Sequence, residues 1–156
     1  MKSRQSNLHY FFLFLLTLIA FSSCSKGTDI NEVWPDVRVN FEIHLDYYNL
    51  NGANSMVYLD EDDIATSAAG INNHGIYIIN TGDGFLALDA TCHHDQNIKE
   101  HVEISEDNDA LGVCPECGSE FVFLNEGAVH KGPAEYSLKK YKTFHDTNKR
   151  TLRVWN

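Results

Sequence analysis

The sequence predicts an all-β protein built from short antiparallel strands. Three observations predict this. Apolar residues alternate with polar ones at a period of two, most cleanly over residues 37–45. Clusters of Gly, Asn and Asp punctuate the apolar runs. Only HDQNIKEHVEI, residues 94–104, has a helical cast, and no repeat interrupts the strand pattern.

The elements follow in order. MKSRQSN carries Lys2 and Arg4 and no acid, and LHYFFLFLLTLIAF is an apolar run too short to span a bilayer comfortably. A basic start, an apolar core and small residues describe a secretory signal. FSSC resembles the lipobox of bacterial lipoproteins, with Phe21 where Leu is usual and with Ser22, Ser23 and Cys24 in place. The resemblance implies removal of residues 1–23 and lipidation of Cys24. The mature chain would then be tied to a membrane of the bacterial cell envelope, on the periplasmic or outer-membrane side. Residues 24–36 read as a polar tether, and residues 37–156 as one domain. VRVNFEIHL opens that domain as a half-buried strand, with Val37, Val39, Phe41, Ile43 and Leu45 on one face. YYNLNGANS and LDEDDIATSAAG read as loops. GIYIINTGDGFLALDA reads as a hairpin turning at residues 81–84. ALGV and FVFL are short strands, the second turning at residues 125–127 into AVH. YSLKKYKTF and RTLRVW form a closing hairpin across residues 145–149.

Charge narrows the function. The chain carries 12 basic and 22 acidic side chains. Removing residues 1–23 takes two of the basic and none of the acidic ones, leaving a net charge of −12. Such a chain offers no basic stripe to neutralise phosphates, so nucleic acid is excluded as a partner. No phosphate loop and no nucleophile–base–orienter set is visible, so the chain does not read as a catalyst.

Cysteine usage is more specific. With Cys24 lipidated, Cys92, Cys114 and Cys117 remain, an odd number that cannot all pair in an oxidising compartment. Each lies on a loop that leaves a strand. TCHHDQ gives Cys92, His93 and His94; CPECGSEF gives Cys114 and Cys117. Cys92, His94, Cys114 and Cys117 make a four-ligand set on two tight loops. Such a set suits a closed tetrahedral zinc site or a [2Fe–2S] cluster, and spacing alone leaves both open. A third possibility is thiol redox chemistry at CPEC. It fits less well, because that chemistry uses a helix N-terminus after the pair and GSEFVFL reads as turn and strand. His93 reads as a surface neighbour of the site.

At these residues the chain resembles the Rieske-type [2Fe–2S] domain, whose pattern is C-x-H followed after a gap by C-x-x-H. FLALDATCHH resembles the strand and first cluster loop, and CPECGSEF the second. GAVHKGPAEYSLKKYKT and RTLRV resemble the segments that follow. The resemblance covers about residues 74–156 and is nearest to Rieske-like envelope lipoproteins of Bacteroidetes. It implies an antiparallel barrel or sandwich with a small metal-binding subdomain of two hairpin loops, about residues 90–135. It further implies one-electron transfer to a redox partner that the sequence does not identify. On this reading Cys92 and Cys114 hold one iron and His94 and Cys117 the other. Gly118 and Ser119 would support the cluster, and Gly132 and Pro133 would cover it. Cys117 stands where the family has His. A third thiolate makes an oxidised cluster of core charge about +2 net negative, so its potential would fall below the usual Rieske range. Phe121, where relatives often carry Tyr, removes a further hydrogen bond to sulfur. Zinc on the same four ligands, as a structural staple on a Rieske-like fold, is the alternative.

Overall fold

The computed structural model describes residues 33–96 and 100–156. The signal segment and Cys24 lie outside the described residues, as does the middle of HDQNIKEHVEI. The chain divides into a segment Met1–Val33 and a compact unit Trp34–Asn156.

The compact unit is all-β and antiparallel. Among the described residues ten strands occur: β1 Asn40–His44, β2 Met56–Leu59, β3 Ile76–Asn80, β4 Phe85–Asp89, β5 Glu103–Ile104, β6 Leu111–Val113, β7 Glu120–Val122, β8 Ala128–Lys131, β9 Lys140–Asp146 and β10 Thr151–Trp155. They form a six-stranded sheet in the order β1-β10-β9-β4-β3-β2 and a four-stranded sheet in the order β5-β6-β7-β8. Apart from the link between β4 and β9, every pairing within the larger sheet joins either a hairpin or a terminal strand to its neighbour.

The larger sheet curls around an apolar core of its own. Phe41 and Ile43 from β1, Leu59 from β2, Ile76 and Ile78 from β3, Ala87 from β4, Tyr141 from β9, and Leu152 and Val154 from β10 pack together. The opposite faces of β3 and β4 present Tyr77, Ile79, Leu86 and Leu88. These residues pack against Val102, Phe121 and Phe123 of the smaller sheet and its connections. Two central strands therefore serve two cores. This is why IYII and FLAL read as unbroken apolar runs, whereas β1, buried on one face only, alternates.

The alternation over residues 37–45, the hairpin at 81–84 and the closing hairpin are present. Two strands were not expected. β2 lies between two loop-rich segments, and its only fully buried residue is Leu59. β5 is two exposed residues within the stretch that had a helical cast. Both are held in place by a neighbouring strand rather than by their own pattern.

The floor of the first loop is polar and buried. Asp89, at the end of β4, is fully buried and accepts three hydrogen bonds: from the Ile71 N–H at 2.8 Å, the Thr91 N–H at 2.8 Å and the Tyr141 hydroxyl at 2.6 Å. Thr91 in turn donates to the Ile71 carbonyl and meets His74 Nδ1 at 3.0 Å. Burial pushes the Asp89 carboxyl above its ordinary value, against the pull of these donors. The network fixes the backbone three residues before Cys92.

Candidate metal centre

Cys92 follows β4 of the larger sheet, and Cys114 and Cys117 lie on the turn between β6 and β7 of the smaller one. The two sheets pack so that the three sulfurs meet. All three are free thiols; Cys92 and Cys114 are buried and Cys117 is half-buried. The Sγ atoms of Cys92 and Cys117 stand 3.7 Å apart. The fourth donor is Asp95, whose Oδ2 lies 3.6 Å from Cys114 Sγ. The ligand atoms of Cys92, Asp95, Cys114 and Cys117 all lie within 4.8 Å of one another.

His94, expected as the fourth ligand, is exposed and stands outside this group. The structure brings together the three expected cysteines and puts Asp95 in the place expected of His94. The two loops share a spacing that makes this intelligible. Asp95 is three residues after Cys92, as Cys117 is three residues after Cys114. Each loop makes one tight turn and returns its fourth residue beside its first. The shared spacing, C-x-x-D beside C-x-x-C, is the sequence signal for Asp95.

Two opposing influences act on the inner thiols: burial, and the backbone amides nearby, those of His94 and Asp95 for Cys92 and those of Cys117 and Glu116 for Cys114. Burial is the larger influence and pushes both thiols up, while these amides pull them back down. A cation among the sulfurs would replace the protons that burial retains.

The second loop is sealed by its own backbone. Gly118 N–H donates to the Cys114 carbonyl at 2.9 Å, and Cys114 N–H to the Ser119 carbonyl at 2.8 Å. Gly118 has φ +69°, the left-handed turn a glycine makes without strain. Ser119, fully buried, sets its Oγ 3.0 Å from Cys117 Sγ and accepts the Ala134 N–H at 3.0 Å. Gly132 presses onto it so closely that a Cβ there would stand 2.5 Å from Ser119 Cα. The 132–134 segment therefore lies over the second loop. Phe121 is fully buried in the shared core, with no hydroxyl to offer a sulfur.

The first loop has one main-chain bond, Asp95 N–H to the Cys92 carbonyl at 3.2 Å, and is held further by side chains. His93 packs edge-on against Trp34, with ring centroids 5.4 Å apart, and against Tyr136 at 4.5 Å. It thus ties the loop both to the start of the compact unit and to the segment leading into β9.

Tetrahedral ligation at zinc–sulfur distances sets neighbouring sulfurs about 3.8 Å apart, and sulfur and oxygen about 3.5 Å apart. The two close contacts at this site, 3.7 and 3.6 Å, match those edges. The four side chains are thus compatible with a bound metal ion. No protein-family model matches the chain, and no curated protein matches it.

Proposed function

We propose that the protein is an envelope lipoprotein of Rieske-like fold whose two loops hold one thiolate-bound ion, zinc before others, on Cys92, Asp95, Cys114 and Cys117. The observation that carries this reading is the pair of contacts at 3.7 and 3.6 Å, which match two opposite edges of a zinc tetrahedron. Two ligands come from a loop of the larger sheet and two from a loop of the smaller. Bound there, the ion supplies no open position for catalysis and fastens one sheet to the other. The envelope location and the membrane tether rest on the basic–apolar–FSSC pattern of the N-terminus.

A second reading is one-electron transfer through a [2Fe–2S] cluster. The likeness of TCHH and CPECGSEF to the two Rieske loops favours it, as does the buried Ser119 hydroxyl beside Cys117. It requires His94 to turn inward and Asp95 to leave. Metal analysis after separate reconstitution with zinc, and with iron and sulfide, tests the two. The single-ion reading expects colourless protein with one zinc per chain. Asp95→Asn should weaken that binding at least about tenfold, and His94→Ala should leave it unchanged. Red-brown protein, paramagnetic on reduction and bleached by His94→Ala but not by Asp95→Asn, would overturn it in favour of electron transfer.

A further inference from the structure

The pair of cysteines closest in sequence is not the pair the fold sets for oxidation. C-P-E-C suggests a bond between Cys114 and Cys117, yet the sulfur in contact with Cys117 is that of Cys92, 3.7 Å away on the other loop. Cys114 is turned inward, fully buried, with its sulfur against Asp95 Oδ2. Cys117 is the accessible thiol of the three. The residue after it, Gly118, has no neighbour within 4 Å of where a Cβ would lie, so the turn has room to shift. A disulfide needs its sulfurs at about 2.05 Å. Reaching that separation asks the Cys117 sulfur to close on Cys92 and leaves Cys114 where it is.

We propose that Cys92 and Cys117 form a reversible disulfide that joins the two sheets and excludes the metal, so that the site is loaded when reduced and closed when oxidised. The exclusion rests on the metal reading above; the pairing does not. The chemistry balances with a small-molecule disulfide as oxidant. The Cys117 sulfur gives up its proton and attacks the oxidant, breaking its S–S bond and releasing one thiol. The Cys92 sulfur, giving up its proton, then attacks Cys117 in the mixed disulfide and expels the second thiol. One S–S bond is broken and one formed. Two electrons and two protons pass to the oxidant, and Cys114 stays a thiol.

The test is disulfide mapping of the full chain, stripped of metal with a chelator, treated with oxidised glutathione, alkylated and digested. Cleavage after Glu116 separates Cys114 from Cys117, and Cys24 falls on a peptide of its own. The expected product links Cys92 to Cys117, with Cys114 alkylated, and Cys114→Ser still gives it. Linkage of Cys114 to Cys117 or to Cys92, or alkylation of all three, overturns the proposal. A parallel sample loaded with zinc before oxidation should lose the Cys92–Cys117 product. If the product forms equally with zinc present, the exclusion fails and the pairing stands.

Discussion

The two loops of the site perform one task by different means. Loop 114–117 is closed by backbone: a glycine at φ +69°, two main-chain hydrogen bonds, and a second glycine pressed against Ser119. Loop 92–95 has no glycine and a single main-chain hydrogen bond, from the Asp95 N–H to the Cys92 carbonyl at 3.2 Å. It is held further by the buried carboxylate network beneath it and by His93 lodged between Trp34 and Tyr136. Backbone closure is written locally, in residues next to the ligands. Closure by packing is written elsewhere, at positions 34, 89, 136 and 141. One half of the site is therefore specified by a motif and the other by the fold.

Substitutions can break that contrast. The largest effect is expected from Gly132→Ala, which puts a Cβ against Ser119 Cα at a φ of +106°. It should cost about 3 kcal/mol in urea unfolding, because the obstacle is backbone and cannot swing away. His93→Ala should cost about 2 kcal/mol through the loss of two edge-on aromatic contacts. It should also weaken zinc binding although His93 is no ligand; titration with a zinc indicator reads this. Unchanged stability and affinity would mean that the main-chain turn alone is enough to hold the first loop.

The buried carboxylate adds a difference in pH response. The folded-state pKa of Asp89 is raised above its ordinary 3.8, so the folded chain binds this proton more tightly than the unfolded chain. Its stabilising contribution is complete below about pH 4 and is lost as pH rises through the raised value. The stability difference between the parent and Asp89→Asn should therefore shrink with rising pH, by at most about 1.4 kcal/mol per pH unit. Unfolding curves at several pH values, with zinc removed, would show it. The smallest effect is expected from Gly118→Ala. With nothing within 4 Å, it meets only the left-handed backbone penalty, about 1–2 kcal/mol.

The same contrast explains what could be read in advance. Strands with alternating faces or flanking turn residues were legible, as were the three cysteines, because those signals are local. β2 and β5 were not, since each depends on a partner strand for its place. Asp95 was not singled out beside two histidines, because its place near Cys114 is set by how the 92–95 turn packs against the other loop. The buried Asp89 reads in the sequence as the end of an apolar strand, and only its donors from Ile71, Thr91 and Tyr141 mark it as a support.

The Trp34–His93 contact has a mechanical side. Trp34 opens the compact unit, and just beyond it Lys139 Nζ donates to the Pro35 carbonyl at 3.2 Å. Asn156 then clasps the same strand, accepting the Val39 N–H and donating to the Val37 carbonyl. Trp34, the first residue of the compact unit, thus rests on the ring that carries the loop of Cys92 and Asp95, while the residues that follow it are fastened by hydrogen bonds to Lys139 and Asn156.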